Sequence, residues 1–281
     1  SNRYMLPEAI KVYIKARELL EWADLKEPEV KKAVLLEKEA HLYLLLGCYK
    51  EAGDWYERLR NEAPHWSWRV RGLLGLGEIA DKQGEYDLAF RLAGEGTEIA
   101  YHGKNNRLLG QALNLVSRTL IGKGLYDGSA KLSERVKITF TKIMTENNLG
   151  DNELKEARKE LATSFNNIAL IQWYQGEYTY ALRAYRDSFK IMQEIGNRYG
   201  IAAAYINIGN VYRDQGDYPS ALNNYNESCQ VNEKIGNRRG VALAVLNIGG
   251  VYHDQGDYPR SLEYYQKGLS ITRDIGDYRE E

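Results

Sequence analysis

Residues 205–231 read YINIGNVYRDQGDYPSALNNYNESCQV, and the stretch describes a helix, a turn and a second helix. Upstream of Gly216, AAAYINIGNVYRDQ (202–215) places Tyr205, Ile208, Val211 and Tyr212 at i, i+3, i+6 and i+7, which is one face of a helix. Gly216 is expected to end that helix and to supply the positive φ of a C-cap. Pro219 then opens PSALNNYNESCQVNEKI (219–235), in a first turn where a missing N–H costs nothing. Gly236 ends this second helix, and Asn237 is placed to cap the next one.

The same punctuation recurs along the chain. QGEYTYAL (175–182) and QGDYPRSL (255–262) align with QGDYPSAL (215–222), so Gly176, Gly216 and Gly256 are 40 residues apart. Going backwards, Gly124 lies 52 residues before Gly176, Gly84 40 before that, and Gly47 37 before Gly84. A tyrosine follows each of the six glycines by two residues (Tyr49, Tyr86, Tyr126, Tyr178, Tyr218, Tyr258). A small residue follows by five: Ala52, Ala89, Ser129, Ala181, Ala221, Ser261. Such a period predicts helical hairpins at 35–46 with 49–61, 68–83 with 86–102, 107–122 with 127–146, 152–175 with 178–194, 198–214 with 218–234, and 238–254 with 258–274. A hairpin with two apolar faces cannot bury both alone, so the hairpins must stack. Gly209, Gly249 and Ala169 on first helices, and Ala181, Ala221 and Ser261 on second helices, are the expected close contacts. Ser188, Ser228 and Gly268 are expected where the next hairpin docks, and the tyrosine after each turn is expected to wedge between hairpins.

The order of aromatic, Ile-Gly, Tyr, Gly-Asp-Tyr and Ala in 205–231 resembles the tetratricopeptide repeat. The period of 40 is longer than the usual 34 or so. It resembles the extended subclass found in cell-polarity adaptors, kinesin light chains and bacterial peptide-sensing regulators. The likeness implies an all-α, right-handed superhelical solenoid of antiparallel helix hairpins running through 1–281 as a single domain. A partial repeat at 7–22 would be followed by repeats at about 33–64, 65–103, 105–147, 151–196, 197–236 and 237–276. The repeat at Gly124 departs from the pattern, because Ser133 stands where the second helix usually carries an aromatic. Neither end shows a polar capping helix: 7–22 reads as a second helix without its first, and 277–281 starts a first helix and stops. The expectation is a piece of a longer native chain with other domains as possible partners. Twelve extra residues around TENNLGDNELKEARKE (145–160) predict a longer first helix, either a protruding contact element or a solvated extension.

Composition excludes several classes. With 43% hydrophobic and 27% charged residues the chain is foldable and soluble in character. It has no run of roughly 18 apolar residues, so no membrane partner is expected. A net charge of −1 argues against a dedicated nucleic-acid binder. Cys48 and Cys229 are far apart in sequence, which fits two small buried thiols and a cytoplasmic, reducing location. His41, His65, His102 and His253 lie in different repeats without ligand spacing, so no metal site is expected. GLLGLGE (72–78) lacks a preceding strand and is read as helix packing rather than as a phosphate loop. No cofactor and no catalytic residues are expected, and the chain is not read as an enzyme.

The resemblance places first helices on an inner, concave wall. Nine residues before the turn glycine stand Asn167, Asn207 and Asn247. A carboxamide donates and accepts together, so this ladder could pair with the backbone of an extended peptide, or could serve by bonding a neighbouring helix. Other expected inward residues are Asn166, Trp173 and Tyr174, then Asn210, Arg213 and Asp214, then His253 and Asp254. Family members that clamp a C-terminal carboxylate use Lys or Arg four residues before the Asn. Thr163, Ala203 and Leu243 occupy those places, which argues against such a clamp. The expected function is a scaffold binding a peptide or partner protein in its groove. The alternative is a regulatory or sensory segment of a larger signalling protein, such as a cyclase, kinase or transcription regulator.

Overall fold

The computed structural model describes residues 28–146 and 149–276. The helix expected at 7–22 and the start expected at 277–281 lie outside the described residues. Every regular element among the described residues is a helix. They fall into two compact units, divided between Asn148 and Leu149. The first unit holds α1 (Pro28–Leu46), α2 (Tyr49–Glu62), α3 (Trp66–Lys82), α4 (Tyr86–His102), α5 (Asn106–Gly122) and α6 (Tyr126–Glu146). The second holds α7 (Asp151–Tyr174), α8 (Tyr178–Glu194), α9 (Arg198–Asp214), α10 (Tyr218–Lys234), α11 (Arg238–Asp254) and α12 (Tyr258–Gly276). Within each unit every helix packs on the next in sequence, and successive first helices (α1, α3, α5; α9, α11) also touch.

The turns form as the glycines require. At Gly216 φ is +77°, a left-handed conformation that glycine adopts without a Cβ penalty. Gly216 N–H donates to Arg213 O at 2.9 Å and Asp217 N–H to Tyr212 O at 2.9 Å, so the last carbonyls of α9 find donors. The 6→1 bond recurs at Cys48, Glu85, Leu125, Glu177 and Asp257. Between hairpins Asn197 and Asn237 accept the N–H of Gly200 and Gly240 at 3.0 and 3.1 Å, as N-caps do. At the junction of α4 and α5 the left-handed place goes to Lys104, with φ +53°. The helix start at α7 is secured by Glu153, whose carboxylate accepts Gly150 N–H at 3.3 Å. This yields the long first helix expected from the inserted residues.

The core repeats one contact. Seven residues before the turn glycine stands a small residue; nine after it stands an aromatic ring in the repeats of Gly47, Gly176, Gly216 and Gly256, and Ala93 in that of Gly84. A Cβ on Gly209 would lie 2.6 Å from Cε1 of Tyr225, and one on Gly249 2.9 Å from Cδ1 of Tyr265. Ala40 with Tyr56, and Ala169 with Tyr185, share buried clusters at the same register. In the repeat of Gly124 both positions are serine. Ser117 Oγ lies 2.5 Å from Ser133 Oγ and 2.7 Å from Ser129 Oγ, all three fully buried. The aromatic missing there is replaced by a hydroxyl cluster in which each polar group has a partner, as burial demands.

Two expectations need correction. Ser188 and Ser228 do not serve the following hairpin through their hydroxyls: they donate to Ala162 O and Ala202 O, each at 2.9 Å, on the first helix of their own hairpin. Gly268 likewise faces its own first helix, where a Cβ would meet Leu246. The reason is that this point of the second helix crosses its partner closely, and a small side chain or a hydroxyl reaching a spare carbonyl lone pair fits there. The cysteines are half-buried rather than buried. The glycines of 72–78 lie in α3 and serve packing: a Cβ on Gly72 would come within 2.8 Å of Tyr56 O.

Gly209→Leu must displace the Tyr225 ring, and overpacking of this kind costs about 1–3 kcal/mol. Hydrogen exchange should speed up through α9, α10 and α11, because repeats are stabilised by their neighbours; unchanged exchange across 178–255 refutes the contact. In the serine repeat, Ser133→Tyr alone should destabilise by about 1–3 kcal/mol. Adding Ser117→Gly makes room for the ring and should return about 1 kcal/mol as a coupling in a double-mutant cycle followed by chemical denaturation.

Candidate binding face

In the second unit one row of each first helix follows the spacing i, i+4, i+7, i+11, which keeps side chains on one face. On α9 this row is Ala203, Asn207, Asn210 and Asp214, with Tyr199 one turn earlier; on α11 it is Leu243, Asn247, Gly250 and Asp254. Ala203, Tyr199 and Leu243 are exposed, while Asn207 and Asn247 are half-buried. Among the described residues neither the Asn207 nor the Asn247 side chain has a hydrogen bond within the chain. Asn167, the third member of the ladder, differs: it is 4% exposed and interacts within the chain. The three asparagines, identical in sequence register, therefore divide into one internal and two available side chains.

The remaining candidates are tied to one another rather than left free. Trp173 Nε1–H donates to Asp214 Oδ2 at 2.8 Å. Arg213 Nε–H donates to Asp254 Oδ2 at 2.5 Å. Both bonds link the residue three before one turn glycine to the residue two before the next, 41 positions on. The Arg213 guanidinium also lies over Gly250, where a Cβ would be 2.7 Å from Nη1. This bond to Arg213 holds the Asp254 carboxyl below the usual carboxylate range, and the carboxylate in turn raises Arg213. Asn210 Oδ1 accepts the hydroxyl of Tyr225 at 2.8 Å, and burial pushes that phenol up. Tyr174 is exposed and stacks on Trp173, with centroids 5.4 Å apart. His253 has a side chain 61% exposed, with Nδ1 3.6 Å from Asp254 Oδ1.

Asn166 is displaced from this row. It occupies the register of Ile206, a buried core residue, and its Oδ1 is buried with no hydrogen-bond partner among the described residues. The sequence reading passed over Tyr199 and considered Leu243 only as an argument against a carboxylate clamp. Both are exposed apolar side chains on the same face, and their register relative to the asparagines was the signal available. Among the described residues there is no group of His, Cys, Asp and Glu that could hold a metal ion, and no helix is long and apolar enough to cross a membrane.

The Arg213–Asp254 pair is partly exposed, so its contribution to stability should be under about 1 kcal/mol. Because the folded carboxyl titrates below its unfolded value, that contribution is present above the ordinary carboxylate pKa and is lost as pH falls through the folded one. Asp254→Asn should therefore lower the melting temperature slightly at pH 7, and the gap from the parent should close on acidification below pH ~4. A gap independent of pH shows that the carboxylate charge is not what matters.

Comparison with known proteins places this geometry. Residues 160–234 and 206–277 match two sequence models described as tetratricopeptide repeat. No curated protein sequence matches the chain. Among solved structures, the apo form of RapI is 16% identical with a TM-score of 0.66, covering 98% of this chain and 94% of its own. A Rap protein complexed with competence and sporulation factor is 10% identical with a TM-score of 0.64, covering 99% of this chain and 88% of that one. A signal transduction ATPase with a tetratricopeptide repeat sensor, from Pyrococcus horikoshii, is 15% identical with a TM-score of 0.64; the match covers all of this chain and 42% of that one. The fold is an all-α helical-repeat solenoid. Residues 160–277 are thus matched by tetratricopeptide-repeat models, and the described helices before them are built on the same glycine-turn hairpins, so the chain is similar to tetratricopeptide-repeat proteins.

Proposed function

We propose that this chain is a protein-interaction scaffold, binding rather than catalytic, that holds an extended peptide segment of a partner across the first-helix face of its second unit. The observation that carries the reading is the pair Asn207 and Asn247, half-buried and with side-chain amides that make no hydrogen bond among the described residues. An unsatisfied carboxamide at mid-helix is a poor choice for helix stability. It suits a peptide backbone, because one side chain can accept an N–H and donate to a C=O whatever the peptide's sequence. Exposed Leu243, Tyr199 and Tyr174 offer apolar contact beside the amides. Among solved structures of this fold are a Rap protein complexed with competence and sporulation factor and a Rap conjugation gene regulator in complex with the Phr* peptide, which supports a peptide ligand here. Asn167 acts as a structural member of the ladder in this reading, and the Trp173–Asp214 and Arg213–Asp254 bonds hold the helices that present the free amides.

A second reading, a sensory segment within a larger signalling protein, is favoured by the Pyrococcus horikoshii ATPase, of which a chain of this size corresponds to 42%. The two readings share the binding face and differ in what binding controls.

The test is a peptide selected from a displayed random library against this chain, titrated with the parent and with Asn207→Ala. Removing the carboxamide strands two peptide groups at about 1–3 kcal/mol each, so affinity should fall between several-fold and a few hundred-fold. The melting temperature should hardly change, since Ala is the better helix former. A destabilised variant that binds normally assigns Asn207 to the fold and moves the binding surface elsewhere.

A further inference from the structure

Cations of this chain are repeatedly held between a carboxylate and the face of an aromatic ring. Arg71 lies 4.8 Å from the ring centroid of Trp68 and pairs with Glu37 at 2.9 Å. Lys123 lies 5.6 Å from that of Phe90 and pairs with Asp87 at 2.6 Å. Arg260 lies 4.5 Å from that of Tyr252 and pairs with Asp257 at 2.5 Å. Each arrangement joins two attractions, because the negative face of the ring draws the same cation as the carboxylate.

At the end of α7 the ring and the carboxylate recur without the cation. Trp173 Nε1–H donates to Asp214 Oδ2 at 2.8 Å, and Tyr174, 54% exposed, stacks on the indole with planes 12° apart. Asp214 is exposed, and among the described residues no Lys, Arg or His forms an ion pair with it. One repeat later the corresponding bond runs from Arg213 to Asp254 and carries charge; here an indole gives a hydrogen bond and no charge. The deficit belongs to the middle of the unit, since α7 reaches α9 through this bond and α11 flanks α9 on the other side.

We infer that Asp214, Trp173 and Tyr174 receive an arginine side chain of the bound peptide, whose guanidinium donates to Asp214 Oδ1 while its plane lies along the rings. The inference rests on the peptide-binding function proposed for this face and narrows it to segments that carry a cation. Asp214 stands seven residues after Asn207 on the same row of α9. At about 1.5 Å per residue that is about 10 Å, which roughly three residues of an extended segment span. Arginine suits the site better than lysine, because a planar guanidinium can stack and donate in its own plane at once, as Arg71 and Arg260 do.

The test starts from a displayed library of random peptide segments, selected on the whole chain and on its Asn207→Ala variant. Segments that need Asn207 should share an arginine at one position. One such segment is then made with blocked termini in two forms, with arginine or with citrulline at that position, and each is titrated by fluorescence anisotropy. Citrulline keeps the shape of the side chain and removes its charge. The arginine form should bind the parent roughly five- to tenfold more tightly than the citrulline form, and added salt should narrow the gap. Asp214→Asn keeps an acceptor for the indole N–H and loses the charge, so it should bind both forms equally, at the citrulline level. Three results overturn this inference and leave the peptide-binding function standing: an arginine preference that survives Asp214→Asn, equal weakening of both forms by that substitution, or Asn207-dependent segments with no shared arginine. Segments that bind without needing Asn207, or no enriched segments at all, overturn the peptide-binding function and this inference with it.

Discussion

A small residue on a first helix against the residue nine after the turn, a ring in four repeats and a hydroxyl in that of Gly124, is the contact on which the rest of this molecule depends. Two antiparallel helices joined by a three-residue turn have little freedom in spacing, and interiors packed near crystal density do not absorb an extra methylene. Gly209 admits the Tyr225 ring, Gly249 that of Tyr265, and Ala169 that of Tyr185. Tyr225 then becomes fully buried and turns its hydroxyl to Asn210. The same geometry survives a change of chemistry at Ser117 and Ser133, where two hydroxyls meet instead of a ring and a gap. What is retained is the close approach of the two helices and the satisfaction of polar groups, not the residue type.

From that spacing follows the register between neighbouring repeats in the second unit. Once the hairpins stack at a fixed offset, the residue three before one turn glycine reaches the residue two before the next. Trp173 and Arg213 both use that reach. The first unit links its repeats with other pairs, Arg71 with Glu37 and Arg118 with Asp81, each a charge-assisted bond between first helices. Such pairs on partly exposed surfaces add little to stability; their effect is to orient. In the second unit they hold α9 and α11 so that Asn207 and Asn247 stand on one face with no competing partner of their own.

Much of the fold was legible because its signals are local. A glycine at positive φ, a proline in a first turn and an Asn cap act through the backbone of their own few residues, so the hairpin boundaries read from 205–231 agree with the helices there. The inserted segment before Gly176 was readable for the same reason: charged, helix-forming residues after Asp151 extend α7. Lys104 was not readable, because a lysine at that place carries no local signal for the left-handed region that it adopts. The direction of Ser188 and Ser228 was also missed, since a small residue fits equally well against either neighbouring helix and only the crossing point decides.

The candidate face divides along the same line. The sequence by itself determined the period, the turn positions and the row of asparagines, because these depend on residue type and spacing along one helix. It could not separate Asn167 from Asn207 and Asn247, which share a register and a residue type. Burial separates them, and burial is a property of what neighbouring helices cover. In the same way Tyr185, Tyr225 and Tyr265 are one position in the repeat, yet two are core and the third is partly exposed. Whether an identical side chain is structural or available is decided only by the helix lying across it, which is a tertiary fact: each hairpin takes half of its environment from the next.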